Sequence, residues 1–230
     1  MSFTGFDKSF FNFFRELAKN NDRAWFEANK ARYKEVVVGP CIGFIEAIGP
    51  RLKKISPNFV ADPRPTGGSM FRIYRDTRFS KEKTPYKTHA GLNFRHAAGK
   101  DAHAPGFYLH LDPGEVFFGG GVWMPDSPTL GKIRDAIVAK APAWKKARTA
   151  PSVVDTFGDL GAGDPLIRAP KGYPADHPMI DDLRKKSYFL ITTATVSQAG
   201  DPKFVDQVAG AYADAKPVIR FLTEAVGAEF

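Results

Sequence analysis

The densest chemistry in the chain lies between Phe71 and His89, FRIYRDTRFSKEKTPYKTH. Arg72, Arg75, Arg78, Lys81, Lys83 and Lys87 stand there against only Asp76 and Glu82, with Tyr74, Phe79 and Tyr86 between them. An arginine offers a planar fork of donors that matches the oxygens of a carboxylate or phosphate. Three of them within a few positions repel one another unless acids or a bound anion compensate. The segment therefore reads as an anion clamp, with Arg72, Arg75, Arg78, Lys83 and Lys87 as cations and Tyr74 as an orienting hydroxyl. Two other readings fit the same residues. Asp76, with Glu115 from further along, can absorb the arginines in an internal ion-pair network. Alternatively, rings beside cations can stack and neutralise nucleic acid.

The groups that would complete a site come from alternating segments further on. Alternation sends successive side chains to opposite faces of a strand. Ser69–Arg75, Thr88–Arg95, Gly106–Leu111 and Glu115–Phe118 are expected as short strands, with Asp112–Pro113–Gly114 turning the last two into a hairpin. Phe71, Ile73, Leu92, Phe94, Phe107, Leu109 and Leu111 then make one apolar face. Arg72, Tyr74, His89, Asn93, Arg95, Tyr108, His110 and Asp112 make the other, which carries groups able to orient a ligand. His110 and His89 are the candidates for moving a proton, because an unperturbed imidazole titrates near neutral pH. Tyr108 would orient the ligand. Gly119, Gly120 and Gly121 are expected as a bend or turn, or a place where another backbone or a ligand comes close, and Trp123 as an apolar wall.

Other chemistries find less support. The five histidines, His89, His96, His103, His110 and His177, form no HExxH pattern, and one cysteine excludes any paired CxxC. No metal is assigned and no cofactor follows, although His89 and His110 could meet across a sheet with Asp112 nearby. Asp176–His177 reads as a turn cap. There is no GxSxG and no phosphate-cradling GxxxxGK[ST] loop, and Cys41 reads as a small buried residue.

The elements that must position these groups follow from periodicity. Phe10, Phe13, Phe14 and Leu17 repeat as one face of a helix over 7–19 that Asp7 can cap. After a break at Asn20–Asn21–Asp22, a second helix is expected over 23–36. A third is expected over 40–55, with Ile42, Ile45, Ile48, Leu52 and Ile55 inward. Beyond the strands, Asp126 or Ser127 caps a helix carrying Leu130, Ile133 and Ile137. Short helices near 152 and 179–186, a strand over 188–195 and helical material over 203–226 follow, with Pro217 restarting the last. No linker divides the chain. The expectation is one α+β domain over 1–230: helices about 7–55, a strand meander about 69–124, then helices with one further strand about 126–230, giving a mainly antiparallel sheet with helices from both ends packed on it.

Composition sets the outer bounds. A net charge of +8 suits an acidic partner: a small anionic molecule, phosphorylated metabolites included, with nucleic acid as the alternative. A single cysteine excludes an intrachain disulfide and fits a reducing compartment. No apolar run approaches the length of a membrane span, and the start lacks a signal-peptide pattern. A cytoplasmic protein with no membrane partner is the expectation.

Three stretches, FRIYRDTRFSKEKTPYKTH, GFYLHLDPGEVFFGGGVWMP and KGYPADHP, closely resemble the recurring segments of a bacterial and fungal family known as domain of unknown function 2461. The likeness runs from about Phe10 to the last strand. It implies a single-domain member of that family and supplies no activity, substrate or catalytic residue.

Overall fold

In a computed structural model, residues 3–78, 83–99, 105–161 and 163–230 are described. Phe79, Lys81, Glu82 and His103, all noted above, lie outside the described residues.

The N-terminal helices form where their caps and stripes demand. Asp7 accepts from the Phe10 amide at 3.0 Å and starts α1 (Lys8–Lys19), which buries Phe10, Phe11, Phe13, Phe14 and Leu17. Asp22 does the same for Trp25 at 2.9 Å and starts α2 (Arg23–Ala28). A short α3 (Lys30–Tyr33) runs through one π-helical turn, Lys34–Val38, into α4 (Gly39–Ile55). The second and third expected helices are thus joined without a break. Gly39 and Pro40 sit at the junction, where the proline has no amide hydrogen for the helical ladder and the wider π-helical turn precedes it.

Four antiparallel strands follow in the order β1 (Ala90–Arg95), β2 (Gly106–Leu111), β3 (Val116–Val122) and β4 (Tyr188–Ala194). Asp112 closes the β2–β3 hairpin: its main chain exchanges bonds with Glu115 and its Oδ1 accepts from the Gly114 amide at 2.8 Å. Between β3 and β4 come α5 (Ser127–Ala139), capped by Asp126, then α6 (Ala141–Arg148), α7 (Pro151–Phe157) and α8 (Ile180–Leu183). After β4, α9 (Val196–Ala199), α10 (Phe204–Asp214) and α11 (Lys216–Ala225) finish the chain, with Pro217 in the first turn of α11.

Two expectations about strands are corrected. Ser69–Arg75 is extended but forms no regular strand. It touches the sheet through the isolated Met70–Leu92 bridge and folds on itself through Tyr74–Tyr86. Because the ladder is broken, its alternation does not track the sheet: Phe71 is partly exposed on the polar face rather than buried with Ile73. Gly119–Gly121 is not a turn but the middle of β3.

The remaining alternation holds. Leu92, Phe94, Phe107, Leu109, Leu111, Val116 and Phe118 are buried. Tyr212 of α10 stacks on Phe107 at 4.7 Å, and Phe204 meets Phe118 edge-on at 5.7 Å. Phe6, Phe44 and Phe204 pack together, so helices from both ends of the chain share one core with the sheet. The fold is α+β. Cys41 is sealed in α4, where burial pushes its thiol pKa up. Among the described residues no helix is long and apolar enough to cross a membrane.

Candidate functional site

The sheet face turned away from α10 and α11 carries the groove. In register, Gly106 pairs with Gly121 and Tyr108 with Gly119. Three neighbouring positions on this face therefore have no side chain, and main chain forms the floor of a cavity of about 430 Å³. Asn93, Tyr108, Phe117, Phe189, Ile191, Trp123 and Phe71 surround it. The walls are mostly apolar, with Tyr108 and Asn93 as polar exceptions.

Close approach by another backbone explains two of the β3 glycines. A Cβ at Gly119 would run into the Leu190 carbonyl, and one at Gly121 into the Tyr188 carbonyl. Gly121 also has φ 148°, which side-chain-bearing residues rarely adopt. Gly120 faces the core, where Ile219 and Phe107 leave no room for a methyl group. Gly91 clears the way for the Tyr108 ring: a Cβ there would sit 2.7 Å from the hydroxyl and 3.2 Å from Phe71.

Polar groups gather beyond Tyr108. Its hydroxyl lies 3.0 Å from Nδ1 of His110, whose ring stacks nearly parallel on Phe117 at 4.5 Å. The His89 ring is 4.3 Å from that of His110. One ligating atom from each of His89, His110 and Asp112 can be drawn within 4.8 Å of the others. These are the residues here that could hold a metal. Burial shapes the protonation of the cluster. It draws His89 down to about 4, helped by His110, Lys87 and Arg75 and opposed by Asp112. It also lowers His110, again against Asp112, and pushes Tyr108 up to about 12. His89 is therefore an uncharged imidazole at neutral pH rather than a group poised at its midpoint. Lys87 borders this end: its Nζ donates to the Arg72 carbonyl at 3.0 Å and sits 5.4 Å over the Phe71 ring. Burial, then Arg72, lowers its pKa.

Tyr74 and two of the other cations line a different hollow. Tyr74, Arg75 and Lys83 face Asp22, Arg23 and Glu27 across a polar depression of about 670 Å³ near the start of α2. Arg75 donates to the Thr84 hydroxyl at 3.1 Å and Lys83 to the Thr77 carbonyl at 2.9 Å. Arg78 forks onto Asp76 at 3.0 and 2.7 Å and holds that carboxyl down at about 2. Tyr86 is buried and stacked on Phe26 at 4.2 Å, so it is no platform for a base.

The expected convergence on one hollow is corrected accordingly. Tyr108, Gly119, Gly121 and Trp123 share the groove, where Gly120 contributes main chain only, with His110, His89 and Lys87 at its polar end. Tyr74, Arg75 and Lys83 are elsewhere, Arg78 is turned to Asp76, and Arg72 is exposed beside Asp76 and Lys87. The cause is the broken strand: residues 69–75 fold back on 84–87 instead of extending the ladder.

Sequence reasoning missed Gly106, Phe117, Phe189 and Ile191. The spacing of Gly106 against Gly121 across a short hairpin was the available signal, since that register brings two bare positions together. Two further histidines are structural. Nδ1 of His96 accepts from the Ala98 amide, so its Nε2–H donates to the Glu229 carbonyl at 2.6 Å. His177 accepts from the Met179 amide at 3.0 Å and caps its turn.

Searches of curated proteins and of solved structures return no match. A family model does match, over residues 9–221, and takes in the helical N-terminus, the whole sheet and most of α11. With that span covered, the chain belongs to the family described as conserved hypothetical protein (DUF2461).

Proposed function

We propose that this chain is a binding protein or enzyme for a small anionic ligand with a flat apolar body. The body would lie on the bare main chain of Gly106, Gly119 and Gly121 between Tyr108, Phe189 and Trp123. Its carboxylate or phosphate end would lie toward Tyr108, His110 and Lys87. The observation that carries this reading is the missing row of side chains on an otherwise aromatic sheet face, ending at a half-buried tyrosine–histidine pair. A preformed concave apolar surface with a few convergent polar groups is what a small-molecule site requires. Removing the apolar body from water contributes roughly 25 cal/mol per Å², and the polar end sets orientation. Lys87 supplies the positive charge, and its partial burial strengthens its attraction to an anion.

A screen of aromatic and aliphatic acids beside their neutral amides, followed by ligand-observed NMR, tests this. Acids are expected to bind and amides to bind at least tenfold more weakly, on the order of 1.4 kcal/mol. Ile191→Trp, which fills the groove from a half-exposed position, should abolish binding by both while the protein stays folded. Lys87→Met should erase only the preference for acids. Equal binding of acids and amides, or hits that survive Ile191→Trp, would sink the reading.

A further inference from the structure

The β1–β2 register places three metal-ligating side chains together although none is close to the other pair in a recognised motif. Ala90 pairs with Leu111, so one step further along the ladder His89 comes opposite Asp112. His110 is two residues before Asp112 and on the same face. We propose that His89, His110 and Asp112 bind one divalent first-row transition ion at the polar end of the groove.

The ligand types set the class of metal. Two imidazole nitrogens and one carboxylate oxygen suit Zn²⁺, Fe²⁺ or Co²⁺, whereas Mg²⁺ and Ca²⁺ prefer all-oxygen shells. The geometry is close to that of a filled site. Bonds of about 2.0–2.2 Å set tetrahedral ligands roughly 3.4 Å apart, and the three ligating atoms already lie within 4.8 Å of one another. Rotation of side chains on a bend and at a hairpin turn can close the difference.

Neighbouring bonds hold the ligands in place. In the tautomer that places the proton on Nδ1, His110 donates to the Tyr108 hydroxyl at 3.0 Å and keeps the Nε2 lone pair for the ion. Support of this kind on the far nitrogen is the usual companion of a metal-bound imidazole. Oδ1 of Asp112 is held by the Gly114 amide, which orients the carboxylate and leaves Oδ2 to ligate.

Lys87 and Arg75 weigh against the ion, because both add positive charge near His89. One aspartate does not neutralise a dication, so the occupied site would favour an anionic further ligand over water. The acidic end of the groove ligand fits that position; this last step rests on the reading in the preceding subsection.

The experiment uses the untagged full chain, stripped with chelator and dialysed. Zn²⁺ uptake is followed by equilibrium dialysis with elemental analysis, and Co²⁺ uptake by its visible spectrum. Expected is one ion per chain in the micromolar range, not displaced by excess Mg²⁺. His89→Gln and Asp112→Asn should each weaken uptake at least on the order of 100-fold, since even outer-shell changes cost 10–100-fold. His177→Gln should leave it unchanged. Paramagnetic broadening by Co²⁺ in the unmodified protein, strongest among the histidines at His89 and His110 and shared by the adjoining Phe117 and Tyr108 rings, supports the site without relying on a variant that folds. Absence of stoichiometric uptake, broadening spread equally over His177, or uptake within threefold of the parent in both ligand variants would overturn it. Metal uptake with no binding of small acids would leave the ion site standing and remove the groove reading; small acids binding to a protein that takes up no stoichiometric metal would do the reverse.

Discussion

The two faces of the sheet are built by the same strands from alternate residues, yet they have opposite properties. On the covered face Leu92, Phe94, Phe107, Leu109, Leu111 and Phe118 are buried, with Phe107 and Phe118 against Tyr212 and Phe204 of α10. On the other, Gly106, Gly119 and Gly121 leave main chain uncovered, and Tyr108, His110, Phe117, Phe189 and Trp123 stand around the gap. A face that only had to be wetted would carry lysine, glutamate and threonine. Large rings beside missing side chains leave apolar surface uncovered, and a protein keeps such a surface when something occupies it. The helices account for one face. The ligand proposed above would account for the other.

Substitutions can break this contrast or sharpen it. The largest effect is expected on the covered face. Leu109→Ala should cost about 3 kcal/mol in denaturant unfolding, because it leaves a cavity where a fully buried leucine stood. Ile191→Ala, on the bare face, should cost under about 1 kcal/mol. Equal losses at the two positions would erase the distinction. Gly121→Ala comes next, at roughly 2 kcal/mol or more in the same measurement. It forces a side chain into φ 148° and drives a methyl group against β4. If the variant were as stable as the parent, the glycine would owe its place to the ligand and not to β3–β4 packing. Tyr108→Phe should have a smaller effect than either Leu109→Ala or Gly121→Ala. It removes one hydroxyl bonded to His110 and should lower stability by about 1 kcal/mol. By freeing the imidazole to turn, it should also weaken Zn²⁺ uptake about tenfold in the dialysis experiment.

Periodicity was enough for most of the scaffold. Asp7, Asp22 and Asp126 each cap the helix that their spacing from an apolar stripe announces. The face assignments of β1 and β2 follow from alternation alone, because both strands lie in an unbroken ladder. The failures share one cause: each concerns a pairing that alternation does not encode. Ser69–Arg75 has a strand-like composition but bonds partly to β1 and partly to its own continuation, so its arginines disperse. The β3 glycines suggest a bend until β4 is known to run against them, some 70 residues later in the chain. Gly106 gains significance only from its partner, Gly121. His89 and Asp112 meet through register, which no count along the chain supplies. Local rules thus recover elements and faces, while the site depends on which strand lies beside which.

Cys41 gives the molecule a reporter it already owns. It is the only thiol in the chain, lies at 0% exposure in the helix shared by both ends of the core, and is held protonated by its surroundings. A thiol-directed dye should therefore react only when that core parts, at a rate set by the opening equilibrium. Any small acid or ion that seats on the far side of the sheet should slow the colour change without ever approaching the sulfur.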